Sequence, residues 1–297
     1  MVFKMMFYVR NQKLSYDYVN MYIYIFIIIV ILFLIVRNGL FSRRDTIFTC
    51  TTFFDYAKRN SWKMFCDGID HILMLHDPTV LARIDRWVVV NEYSDTPRDD
   101  WSERMASRYP FMTFIQKSAQ EKGQPKSCQM VFDQIKPYTY WIHWEETWLP
   151  TRPFLKEAFR IMEHTNISQL QFTKNETGFT DWMKRTSEPK RCLGTGASRY
   201  CIVEHTAALD ANVNRKTFVN TEEMVAFWPL YSLRPSINRV AFYNFGNFSL
   251  QTFPPPVMSE YDFAQRWYRA GGVKAVFYDG PVSRAKAYVS THYHMHD

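Results

Sequence analysis

Glycine is scarce in this chain, 10 residues in 297, and no segment is dominated by a few residue types. With aromatic residues at 17%, that scarcity excludes low complexity and intrinsic disorder, because so many rings bury enough apolar surface to offset the entropy of ordering. Acids are outnumbered, for a formal charge of +7. Even so, no basic run is interleaved with aromatics as a stacking groove needs, so nucleic acid is a poor partner. The balance suits a phosphate-bearing ligand or an anionic membrane surface. Five cysteines cannot all pair. Cys192 and Cys201 flank a turn-like stretch, Leu-Gly-Thr-Gly-Ala, and are placed to bridge a hairpin in an oxidising compartment; five scattered buried thiols explain the count equally well. Gly194-Thr-Gly196 lacks the strand before and helix after that a dinucleotide fingerprint requires, and no residue stands in a nucleophile-elbow context.

One segment lacks charge altogether. Val19–Val36 is apolar except for Asn20, 18 residues long and just sufficient to cross a bilayer. No small-residue cleavage site follows it, only Arg37, Asn38 and Gly39, so an uncleaved anchor is expected over a signal peptide or a buried core helix. The predicted layout is an N-terminal tail at 1–18, a membrane anchor at 19–36, a short stem at 37–45 and one folded domain at 46–297. Basic residues flank the anchor on both sides and barely discriminate its orientation. Three sequons, at Asn166, Asn175 and Asn247, favour a lumenal C-terminal domain.

Strand and helix patterns alternate after the anchor. Thr46–Phe54 is β-rich and ends at Asp55. Ser61–Leu75 is an amphipathic helix with Trp62, Phe65, Ile69, Ile72 and Leu73 on its apolar face. Trp87–Val90 breaks into Asn91-Glu92-Tyr93-Ser94, Phe111–Ile115 is a third strand, and a Gly123-Gln-Pro turn opens a helix running to Ile135. Tyr138–His143 and Ser168–Phe172 are further strands. This alternation predicts an α/β domain built on a mostly parallel, three-layer sheet.

The most informative stretch is Tyr138–Leu149. Its first half is continuously aromatic and β-branched, the composition of a strand buried on both faces. Its second half presents Glu145 and Glu146 at the strand's carboxyl end, where open α/β sheets bind ligands. Paired carboxylates there are hard ligands for Mg2+ or Mn2+ facing a diphosphate, or else helix-capping acids near a positive helix end. Asp55 and Glu92 stand at two other strand ends, so polar groups from three strands are expected to converge on one edge.

In order and spacing these features resemble the GT-A fold of nucleotide-sugar glycosyltransferases, over about Thr46–Val276. Asn91-Glu92-Tyr93-Ser94 resembles the nucleoside-holding turn, Gly123…Ser127…Gln129 the helix that approaches the donor sugar, and His143-Trp144-Glu145-Glu146-Thr147-Trp148 the metal motif. Trp228–Ser236 resembles the acceptor-side turn, and Glu260-Tyr-Asp262 the base-bearing helix. Asn91 stands where the family has an acid, Thr147 replaces another, and Gln129 stands in place of Asn. The resemblance implies a membrane-anchored, type II glycosyltransferase with a lumenal domain and a nucleotide diphospho-sugar donor. It implies a metal at Glu146 and Glu145, nucleotide contacts from Thr52, Asp55, Asn91, Glu92, Ser94 and Gln129, and catalytic acids Glu260 and Asp262, with an inverting displacement. The acceptor, whether glycan, protein or lipid, stays unspecified. The altered acids leave a second expectation: a non-catalytic binding protein on the same scaffold.

Overall fold

A computed structural model describes residues 45–54, 61–94, 101–173, 189–203, 231–244, 263, 267 and 270–284. The chain divides into Met1–Arg43 and Arg44–Asp297, and every described residue lies in the second unit. The expected anchor, Asp55, Glu260 and Asp262 lie outside the described residues. Among the described residues no helix is long and apolar enough to cross a membrane.

In chain order the elements are β1 (Thr46–Thr52), α1 (Ser61–Leu75), α2 (Pro78–Leu81), β2 (Ile84–Asn91), α3 (Trp101–Arg108), β3 (Met112–Gln116), α4 (Gln124–Ile135) and β4 (Tyr140–Glu145). They continue as β5 (Trp148–Pro150), α5 (Leu155–His164), β6 (Gln169–Gln171), β7 (Pro189–Leu193), β8 (Tyr200–Val203), β9 (Ser236–Arg239), α6 (Val240–Asn244), β10 (Lys274–Phe277) and β11 (Val282–Arg284). Nine strands form one sheet in the order β3-β2-β1-β4-β9-β6-β10-β8-β7, and β5 pairs with β11 in a small second sheet.

The first four strands of that order run parallel, as expected. Beyond β4 the sheet is mixed: β9 is antiparallel to both β4 and β6, and the β7–β8 hairpin closes the edge antiparallel to β10. The β6–β10 pair is parallel again, so the expected parallel direction holds for β1 to β4, β6 and β10, and β9 and β8 are the strands that turn the sheet mixed. The later strands are three to five residues long; β6 falls within the expected Ser168–Phe172, whereas β7 and β9 carry mostly polar residues that no apolar run announces.

Three layers follow from the alternation of side chains along the central strands. Phe48, Cys50, Ile142 and Trp144 face one core, covered by Phe65, Cys66, Ile69 and Ile72 of α1 and by Leu155, Ala158 and Phe159 of α5. Ile47, Val88, Val90 and Trp141 face the other, covered by Cys128, Val131, Phe132 and Ile135 of α4 together with Tyr243, Phe263 and Trp267. Each fully buried Phe or Ile contributes roughly 1.5–3 kcal/mol. Trp62, placed on the buried face of α1 by periodicity, is 38% exposed, so the true stripe is narrower. Gly68 lets α1 approach β5 closely, because a Cβ there would lie 2.9 Å from the Trp148 carbonyl oxygen.

Candidate active site

A cleft of about 210 Å³ opens at the carboxyl edge of the parallel strands, lined by Thr51 and Thr52 of β1 and Phe53 just after it, Glu92 after β2, Gln124, Ser127 and Cys128 of α4, His143 and Glu145 of β4 with Glu146 just after it, and Leu233. Register explains the convergence: β1 lies between β2 and β4, pairing Thr51 with both Val90 and Glu145 and Thr52 with Asn91. The three strand tips therefore end at one level.

Glu145 is the last residue of β4 and Glu146 begins the turn into β5. Both line the cleft, although adjacent residues leaving a strand ordinarily diverge. Trp148 Nε1 donates to Glu145 Oε2 at 2.9 Å and fixes that carboxylate. Burial pushes the Cys50 thiol well up, and the Glu146 and Glu145 charges add to the shift. Thr147, standing where the metal motif has its last acid, is buried.

The nucleoside-side residues divide into two groups. Thr52 and Glu92 reach the cleft. Asn91 does not: it is 1% exposed, its Oδ1 accepts from Thr52 Oγ1 at 3.0 Å and Phe54 N–H at 2.9 Å, and its Nδ2 donates to Gln116 Oε1 at 2.7 Å. It ties the ends of β1, β2 and β3 together. Ser94 is buried away from the cleft lining, and Gln129 lies on the outer part of α4, donating to Asp133 at 3.3 Å.

Glu92 is held by a group that sequence reasoning missed. Lys117 is fully buried and donates to Glu92 Oε2 at 2.6 Å, the Gly123 carbonyl at 2.8 Å and Ser127 Oγ at 2.8 Å. The N–H groups of Tyr93 and Gly123 donate to Glu92 Oε1 at 3.0 and 3.1 Å. Burial alone would raise the Glu92 carboxyl; the Lys117 hydrogen bond and the two N–H groups outweigh it, leaving the pKa below its ordinary value. Gly123 makes this possible, since it caps α4 at φ 107°, a left-handed value that disfavours side-chain-bearing residues. The Gly-Gln-Pro turn was a visible signal for that cap; nothing in a lone lysine after β3 signalled burial.

His143 lies at the cleft floor, 2% exposed, and neither ring nitrogen makes a complete hydrogen bond among the described residues. Burial lowers its pKa to about 4, against a smaller opposing pull from the Leu233 backbone. Leu233 is positioned from behind by Gln169, whose amide donates to the Ser232 carbonyl at 2.8 Å and accepts from the Ser232 N–H at 3.0 Å. At the far sheet edge Cys192 and Cys201 form a disulfide, whereas Cys50, Cys66 and Cys128 are free and buried. The hairpin bridge is thus the arrangement found.

No family model matches this chain, and no curated protein matches it. Solved structures do. The crystal structure of S. aureus TarS 1-349 aligns at 14% identity and TM-score 0.50, over 78% of this chain and 58% of that one. The same TarS fragment in complex with UDP-GlcNAc aligns at 15% identity and TM-score 0.50, over 83% of this chain and 61% of that one. The chain thus spans about three-fifths of the structures it resembles. At such identity the likeness shows the fold alone: a mixed α/β sheet of the GT-A type.

Proposed function

We propose that this chain is a membrane-anchored glycosyltransferase that moves a sugar from a nucleotide diphospho-sugar to a glycan, protein or lipid acceptor. The observation that carries this is the cleft at the carboxyl ends of β1, β2 and β4, with two adjacent carboxylates at the tip of β4. The likeness to a structure solved with UDP-GlcNAc supports that class of donor. Thr52, Glu92 and Asp55 hold the nucleoside side. Asn91 braces the turn from behind, Ser94 is buried outside the cleft lining, and Gln129 lies farther along α4.

The donor set fits a hard divalent cation. Glu145 and Glu146 line an open edge and would hold the cation through carboxylate oxygens, Glu146 as principal ligand and Glu145, oriented by Trp148, as second. Among the described residues no group of three or more His, Cys, Asp or Glu could hold a metal, so these two carboxylates would be its protein ligands. There Mg2+ or Mn2+ would supply charge neutralisation of the leaving diphosphate. Glu260 takes the acceptor proton on the opposite face, with Asp262 the neighbouring acid, and the anomeric centre inverts. Replacing Glu260 by Gln should reduce transfer by roughly 10² or more while donor binding persists. If Asp262→Asn shows that loss and Glu260→Gln stays active, the roles are exchanged.

The decisive experiment measures thermal stability with nucleotide diphosphates and Mn2+. A donor site gains on the order of 1–3 kcal/mol at saturating ligand. No shift with any nucleotide favours the second reading, a non-catalytic binding protein; the saturation of Asn91 and the Glu92–Lys117 pair by protein groups is what motivates it.

A further inference from the structure

Topology brings a second set of side chains to the edge that carries the cleft. Because β9 is antiparallel to both β4 and β6, those two strands point the same way, and β10 runs parallel to β6. The carboxyl end of β10 therefore lies on the edge of Glu145 and Glu146, three strands along, about 14 Å at the usual strand spacing. The amino end of β8, antiparallel to β10, reaches that edge beside it and pairs Tyr200 with Phe277. Tyr278 and Arg199 extend this pair by one residue, the Tyr278 N–H donating to the Arg199 carbonyl at 2.9 Å. The chain leaving Glu146 passes through β5, which pairs with β11, and delivers Arg152 to the same turn.

The three side chains make a fixed cationic surface. The Arg199 guanidinium lies 3.8 Å from the centre of the Tyr278 ring, and Tyr278 is 43% exposed. Stacking sets the guanidinium plane and leaves its N–H fork free to bond. Among the described residues no side-chain hydrogen bond or ion pair engages Arg199. Arg152 donates to the Ala197 and Asp279 carbonyls, at 3.4 and 3.0 Å, and no carboxylate among the described residues answers its charge. Asp279, the acid of that turn, is exposed and pairs with neither arginine. The adjoining hairpin turn, Gly194–Ser198, carries no charge and is closed by the Cys192–Cys201 bridge.

Two uncompensated guanidiniums beside an exposed ring match a sugar that bears an oxyanion. The fork takes two oxygens of a phosphate or sulfate, and the ring offers apolar surface to the C–H face of the sugar. We propose that Arg199, Tyr278 and Arg152 form an acceptor-side subsite for a negatively charged glycan, holding its phosphate or sulfate while another part of the glycan reaches the cleft. The acceptor role rests on the transferase reading above; the anion site rests on these side chains alone.

The test is calorimetric titration of the full chain in detergent. The probes are maltohexaose, its phosphorylated and sulfated forms, sodium phosphate and sodium sulfate, and separately UDP and GDP with Mn2+. Wild type should bind one charged hexasaccharide about tenfold or more tighter than maltohexaose, and the tighter form identifies the oxyanion. Arg199→Gln and Tyr278→Ala should each weaken that binding by about tenfold while binding nucleotide within about twofold of wild type. Arg199→Lys should restore only part, because an ammonium lacks the planar fork. No preference for a charged hexasaccharide overturns the subsite, and nucleotide binding in the same protein would leave the transferase reading standing. An equal loss in Lys63→Ala, on the distant α1, would show general attraction to a basic protein, and free phosphate or sulfate binding as well as the saccharide would show an adventitious ion only. Joint loss of saccharide and nucleotide in the Arg199 and Tyr278 variants would mean a damaged fold, and the assignment would fall. Charged-saccharide binding without any nucleotide binding overturns the acceptor role together with the donor reading.

Discussion

At the scale of single residues, two charged groups decide what the cleft can do. Lys117 has no exposure and three acceptors, and its partner Glu92 keeps a side-chain exposure of 21%. Replacing Lys117 with Met leaves a carboxylate with its strongest partner gone. The expected cost is roughly 3 kcal/mol, the low end for breaking a buried pair, because Glu92 retains some water. For a domain of this size that is a fall of about 6–12 °C in melting temperature. Adding Glu92→Gln should restore part of it; a single variant as stable as wild type would show the pair to be incidental. Glu146→Gln should lower metal-dependent donor hydrolysis by roughly 10² or more with the melting temperature little changed. Glu145→Gln should do less, since its amide oxygen can still accept from Trp148. Equal effects would mean the two carboxylates share the metal evenly.

At the scale of elements, one imidazole joins two helices. His76 Nδ1 lies 2.9 Å from the Ile72 carbonyl at the end of α1, and Nε2 accepts from the Phe154 N–H at 3.2 Å just before α5. Only the neutral ring with its proton on Nδ1 satisfies both bonds. Burial lowers its pKa, against a smaller upward pull from the Ile72 carbonyl. A depressed folded value means the unfolded chain takes up the proton more readily. This contribution to stability is therefore complete above about pH 6.5 and is lost as pH falls through the lower folded value. His143, lowered to about 4, acts in the same direction. Melting temperature should fall between pH 7.5 and 5, and His76→Gln should flatten part of that slope. A slope identical to wild type would mean the α1–α5 junction does not titrate there.

At the scale of the whole molecule, the anchor and the disulfide make one combined prediction. We propose a single-pass chain with its folded domain in an oxidising lumen, consistent with the Cys192–Cys201 bridge and with exposed Asn166 in a sequon. Deleting Met1–Arg37 should release the protein from the membrane fraction. Reducing the bridge in that soluble chain should destabilise the β7–β8 edge by about 2.5 kcal/mol, the loop-closure value for so short a loop. Retention after a high-salt wash would point to a second membrane surface, and insensitivity to reductant would show that the edge hairpin stands without its cross-link.

The apolar and aromatic run of Tyr138–His143, the β-rich Thr46–Phe54 and the amphipathic α1 were legible because burial on one or both faces writes a local pattern. The same logic placed Glu145 and Glu146 at a strand end that the structure opens to a cleft. Local pattern also set Cys192 and Cys201 within reach of each other. What only the tertiary structure decided is who meets whom across the chain. The antiparallel run of β9 between β4 and β6 depends on where a distant segment returns, and Lys117 becomes a buried cation only because β2, β3 and the Gly123 cap close around it. Glu92 and Asn91 are neighbours in sequence, yet one faces the cleft and the other knits three strands together. Composition and periodicity report burial, but a hydrogen bond spanning 25 or 39 residues is determined by the packed sheet.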